Sequence, residues 1–188
     1  MTNTIDFEMQ QFTAGDVAAA IGVPLDTLRR WTQRGHVPNV QEESGSWRKY
    51  SLLDAAYIAA LSSLATHMDP MRASMIMAGA VYHSNSSAST WLESLGKVKL
   101  SIKESAGNAW EPFVAPKGIY VLVTECREAK STKSALYAGD NLQAYIEHLG
   151  RPANEGSTEQ PRPMPTAHVA AYNVCPAIWA AMSHLTKL

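Results

Sequence analysis

Residues 24–50 read PLDTLRRWTQRGHVPNVQEESGSWRKY, and the rest of the fold can be built outward from them. Leu25, Leu28 and Trp31 recur at three-residue spacing, so they share one side of a helix and turn toward a core. Asp26, Thr27, Arg29, Arg30, Gln33 and Arg34 occupy the other positions and give the outward side a cationic character. Gly35 supplies a left-handed stop, and Pro38 bars the helix from resuming. Ser44-Gly45-Ser46 then marks a tight turn between two short extended runs, with Trp47, Arg48, Lys49 and Tyr50 following as a cationic and aromatic cluster. A basic helix followed by a basic hairpin suits a polyanion, since phosphate contacts supply most of the affinity in protein–DNA complexes.

The flanks complete the unit. Upstream, Thr13 is placed to cap the helix AGDVAAAIG with Asp16 three residues on, a carboxylate form of the capping box, and Gly22 ends that helix. The first helix, the turn at Gly22-Val23-Pro24 and the second helix make a helix-turn-helix. Downstream, Ser51 and Asp54 repeat the cap signature before SLLDAAYIAALSSLATHM. There Leu53, Ala56, Tyr57, Ala60, Leu61 and Leu64 fall on one helical face. Asp69-Pro70 opens another helix, PMRASMIMAGAVYH, whose Met71, Met75, Ala78 and Tyr82 are expected to pack.

This arrangement resembles the winged helix-turn-helix of the MerR family of transcriptional regulators. The likeness rests on Phe12-Thr13-Ala14-Gly15-Asp16-Val17-Ala18, Gly22-Val23, Thr27-Leu28-Arg29, Gly35, Pro38, Ser44-Gly45, Arg48-Lys49-Tyr50-Ser51 and Asp54, and it extends over residues 11–81. It implies double-stranded DNA as partner, with Thr27, Arg30 and Gln33 at base edges and Arg29 and Arg34 on phosphates. Trp47, Arg48, Lys49 and Tyr50 would lie along the flanking backbone. It also implies a homodimer reading two half-sites. Arg30 and Trp31 stand where the family usually has an aromatic pair, and Ser46 is an extra wing residue, so the resemblance does not specify the target sequence. Nor does a sustained heptad follow Tyr82, so any dimer must form without the family's long coiled coil.

The expected fold class is α+β. Residues 1–10 form a lead-in, 11–82 the winged helix and 83–96 a hinge containing SNSSAST, and 97–188 make a small α+β domain for dimerisation, sensing or partner binding. KVKLSIKES alternates as a strand with a solvated lysine face, and GIYVLVTE, SALYAG and TAHVAAYNV read as three further strands. DNLQAYIEHLG is expected as a helix capped by Asp140, and PAIWAAMSHLTKL as a closing helix with Pro176 in its first turn. The stretch RPANEGSTEQPRPMP between them reads as a loop.

Gly118-Ile119-Tyr120 with Tyr137-Ala138-Gly139 is similar to the GIY-YIG nuclease module. That family has an arginine on the following helix, where this chain has Gln143, Ala144 and Tyr145. It also has a later metal-binding glutamate, yet no Asp or Glu follows Glu159 here. Without that carboxylate the resemblance implies a binding module and no catalytic residue.

Composition sets outer bounds. The 188 residues are 46% hydrophobic with a net charge of −1, ample for a core and too neutral for a protein that coats nucleic acid indiscriminately. Arg29, Arg30, Arg34, Arg48 and Lys49 nevertheless cluster between Thr27 and Tyr50 against only Glu42 and Glu43. Cys126 and Cys175 lie far apart, and the six histidines lack metal-ligand spacing, so two reduced thiols and no metal or cofactor are expected. The N-terminus lacks the basic and apolar regions of a secretion signal, and a cytoplasmic location is expected.

The leading expectation is a sequence-specific transcriptional regulator whose C-terminal unit takes a protein or small-molecule effector. Excisionase-like or small-terminase-like architectural proteins use the same winged helix and form one alternative. A nuclease or an interaction adaptor working through the C-terminal module is the other.

Overall fold

Thr13 and Ser51 each begin a helix by the same local chemistry. The computed structural model describes residues 9, 11–37, 49–82, 119–126, 131–138, 142–143 and 167–186. In it the Thr13 hydroxyl accepts from the Asp16 amide at 3.2 Å, and Asp16 Oδ2 accepts from the Thr13 amide at 2.8 Å. This reciprocal pair opens helix α1 (Ala14–Ile21). Ser51 and Asp54 repeat it at 3.1 and 2.8 Å to open α3 (Leu52–Ala65).

Between these caps, α1 and α2 (Leu25–Gln33) end alike. Gly22 and Gly35 have φ of 70° and 72°, a left-handed conformation that a Cβ would strain. Each lets the next residue reach back into the last turn. Val23 N–H donates to the Ala18 carbonyl at 3.0 Å, and His36 N–H donates to the Trp31 carbonyl at 2.9 Å. Both helix ends are Schellman closures.

The Asp16 carboxyl titrates below the ordinary aspartate value because the Thr13 hydroxyl and amide hydrogen-bond its charged form. A carboxyl lowered on folding contributes stability above its unfolded pKa of about 3.9 and loses it as pH falls through the lower folded value. Thr13→Ala is therefore expected to cost about 1 kcal/mol at neutral pH. In urea melts the gap between Thr13→Ala and the parent should narrow as pH falls below the unfolded value of about 3.9 and through the lower value at which folded Asp16 protonates.

Helix α4 (Pro70–Tyr82) starts where Asp69 Oδ1 accepts from the Met71 amide at 2.8 Å. A three-stranded antiparallel sheet follows, in the order β4–β3–β5, with β3 (Ile119–Cys126) between β4 (Ser131–Ala138) and β5 (Ala167–Asn173). Leu122 pairs with Ala135 on one side and Ala171 on the other. Helix α5 (Cys175–Leu185) leaves the sheet at once, its Cys175 amide donating to Asn173 Oδ1 at 3.1 Å. Cys175 is buried, which raises its thiol above the usual value.

Helix α3 is the centre of the molecule. Leu53 is only partly covered, while Ala56, Tyr57, Ala60, Leu61 and Leu64 are buried, as their spacing predicts. Leu52, Ala55, Ile58 and Ala59 are buried too, so the helix is enclosed on all sides. Helix α5 packs along α3 and α1, and one hydrophobic cluster runs from Phe12 and Val17 through α3 to Ile178, Met182 and Leu185. The helix-turn-helix segment and the C-terminal segment thus share a core.

Helix α4 corrects an expectation. Met71 and Met75 are 61% and 67% exposed, while Ala73, Ile76, Met77, Ala80 and Val81 are buried. The helix is apolar on more than one side, and the sheet selects which side is covered. Gly79 marks the close approach: a Cβ there would sit 2.5 Å from Ser134 Oγ on β4.

The strand expected at 97–105, the hinge at 83–96 and the loop at 151–165 lie outside the described residues, as does the helix expected from Asp140 apart from 142–143.

Candidate nucleic-acid interface

Helix α2 turns Leu28, Trp31 and Thr32 inward and leaves Asp26, Arg29, Arg30, Gln33 and Arg34 exposed. Thr27 is half-buried at the border of that outward face. Leu25 is also only half-buried, so the inward side is carried by Leu28 and Trp31, with Thr32 where an apolar residue would be expected.

Long contacts within the helix shape the face. Arg30 folds back along its own helix, its Nε donating to the Asp26 carbonyl and its NH2 to Thr27 Oγ1, both at 3.3 Å. Arg30 and Thr27 therefore form one hydrogen-bonding edge. Arg29 reaches Asp26 at 3.4 Å, with side chains 53% and 84% exposed, so the pair is weak and readily exchanged for a phosphate. Asp26 sits amid the arginines, and the sequence reading gave it no role. Its place in the first turn, where a carboxylate suits the helix dipole, was the available signal.

Residues 49–50 are held against the strand that precedes α1. Strand β1 (Phe12–Thr13) pairs antiparallel with β2 (Lys49–Tyr50), matching Phe12 with Tyr50 and Thr13 with Lys49. Gln11 N–H adds a bond to the Tyr50 carbonyl at 3.1 Å. Lys49 is exposed on this strand, whereas Tyr50 is 1% exposed.

Tyr50 is accordingly a correction to the expected backbone-contacting set. The Thr32 hydroxyl donates to the Leu28 carbonyl at 3.0 Å, so its one proton is in use. The Tyr50 hydroxyl, 3.2 Å from Thr32 Oγ1, is then the donor of that pair. It ties β2 to the last turn of α2, which makes Tyr50 a positioning residue. Trp47 and Arg48 lie outside the described residues.

Behind α2, the His36 carbonyl accepts from Ser74 Oγ on α4 at 3.1 Å, so the exit of α2 is held by α4. Among the described residues no three His, Cys, Asp or Glu side chains gather as a metal would need, and no helix is long and apolar enough to cross a membrane. Tyr120 and Tyr137, the tyrosines of the GIY-YIG likeness, are register partners on β3 and β4, a relation that any antiparallel hairpin gives two of its residues.

Residues 12–64 match the family model described as MerR HTH family regulatory protein. The match begins at β1, takes in α1, α2 and β2, and ends inside α3. This segment is a MerR-like helix-turn-helix domain. No curated protein matches the chain.

Proposed function

We propose that the protein is a sequence-specific, dimeric DNA-binding transcriptional regulator. The observation that carries this reading is the exposed face of α2, on which Arg29, Arg30, Gln33 and Arg34 stand free of the core on a helix closed and braced at its C-terminal end. Inserted into the major groove, such a face sets Thr27, Arg30 and Gln33 against base edges, where arginine pairs bidentately with guanine and glutamine with adenine. Arg29 and Arg34 flank them and reach phosphates, and the exposed Lys49, with Arg48 beside it in sequence, takes the flanking backbone. A single short helix reads few base pairs, so a second copy on a second half-site is required for selectivity.

The test is selection of bound fragments from random and source genomic DNA with the full-length protein, alongside an Arg29→Ala/Arg30→Ala control. A compact inverted repeat that disappears in the control is the expected result. Recovery of long stretches at repeated sites would favour an architectural protein instead, and no enrichment at all would remove the regulator reading.

A further inference from the structure

On the side of α4 away from α2, a cleft of about 440 Å³ opens between the α3–α4 turn, α4 and the sheet. Its size is within the usual range for small-molecule sites. The floor is apolar: Ile76 and Val123 are 5% and 3% exposed, and Val169 borders them. One wall is aromatic, with the His67 and Tyr172 rings 5.5 Å apart and tilted by 40°. At the mouth Arg72 of α4 pairs with Glu125 of β3, their side chains 58% and 46% exposed. The cleft thus offers one cation and one anion side by side above an apolar, ring-lined floor.

From this arrangement we infer that the cleft binds an α-amino acid with an apolar or aromatic side chain, and that its occupancy acts on the DNA-reading helix. A ligand carrying only a carboxylate would take Arg72 and leave Glu125 facing a second anion. A ligand carrying only an amine would leave Arg72 facing a second cation. An α-amino acid brings both charges one carbon apart, so its carboxylate meets Arg72, its ammonium meets Glu125, and its side chain lies on Ile76 and Val123 against the Tyr172 ring. The resident ion pair is half exposed and therefore holds itself weakly, so exchange is not opposed.

The route to α2 is short. Arg72 and Ile76 line the cleft, and Ser74, between them on α4, donates to the carbonyl of His36 at the exit of α2. A ligand that draws Arg72 off Glu125 changes how α4 seats on the sheet, and α4 holds the end of the recognition helix. This regulatory half of the inference rests on the proposed DNA-binding function. The binding half does not.

The experiment is calorimetric titration of the full-length protein, without DNA, with L-phenylalanine, L-tyrosine and L-tryptophan, and with 3-phenylpropanoate and phenethylamine as analogues lacking one charge each. At least one amino acid is expected to bind, both analogues should bind about tenfold more weakly or worse, and Arg72→Gln should erase the preference over phenethylamine and Glu125→Gln that over 3-phenylpropanoate. Both variants alter exposed side chains, and unchanged thermal melts would establish that they fold. No heat from any amino acid at millimolar concentration, or equal binding of the amino acids and the analogues, would overturn the site. With a binding amino acid in hand, the same titration is followed by DNA affinity with and without it. Unchanged affinity in a protein that does bind DNA would overturn the coupling, whereas a protein that binds the amino acid and no DNA would overturn the proposed function alone.

Discussion

Ile178→Asp is expected to destabilise the helix-turn-helix along with the C-terminal helix. Ile178 is 1% exposed on α5, within the cluster that α5 shares with α3 and α1. An aspartate there places an unpartnered carboxylate among aliphatic side chains, a change that costs about 3–5 kcal/mol. Small domains have only about 5–15 kcal/mol in total, so a substantial share of the stability is removed. Far-UV circular dichroism and urea melts measure the loss. Ala180→Asp is the matching control, because Ala180 is exposed on the same helix and a charge there should shift stability by no more than about 0.5 kcal/mol. Ile178→Val should lie between, at about 0.5–1.5 kcal/mol. If Ile178→Asp abolished α5 while residues 12–82 kept native amide spectra and DNA affinity, the two segments would be independent units and the shared core would contribute little.

The same packing explains which parts of the fold were legible in the sequence. Thr13 with Asp16, Ser51 with Asp54, and the stops at Gly22 and Gly35 could be read because each is a local hydrogen-bonding or conformational requirement settled within a few residues. The burial of α3 on every side was not legible in the same way. Its Leu52, Ala55, Ile58 and Ala59 are apolar, yet the element that covers the enclosed helix, α5, lies far along the chain. Met71 and Met75 fail for a related reason: α4 has more than one apolar side at helical spacing, and only the positions of α3 and the sheet decide between them. Tyr50 is different, because the sequence did contain the answer. Successive residues of a strand point to opposite faces, so Lys49 and Tyr50 could not both face DNA, and the aromatic one is the natural choice for the core. The cleft at Arg72 and Glu125 joins residues distant in sequence, and nothing local announces it.

Arg30→Ala is expected to lower affinity for the selected site by about 1–3 kcal/mol, roughly five- to 150-fold, with a much smaller effect on random DNA. The asymmetry follows from the geometry of the free protein. Arg30 rests on the Asp26 carbonyl and Thr27 Oγ1 at 3.3 Å, long contacts on an exposed face, so releasing it toward a base costs little and its loss disturbs no core packing. Under the proposed function, what the variant loses is therefore the base contact itself. Arg34→Ala is the complement: a phosphate-contacting arginine should weaken specific and random binding alike and reduce the slope of log affinity against log salt by about 1. Gel-shift titrations of both variants over a salt series, on the selected site and on a scrambled one, separate the two roles. Equal losses on both sequences for Arg30→Ala would move Arg30 from base readout to the backbone. Gln33 and the half-buried Thr27 would then be left to carry specificity, and an α2 face with so few base-reading groups would require the wing or a second copy of the chain to supply the rest.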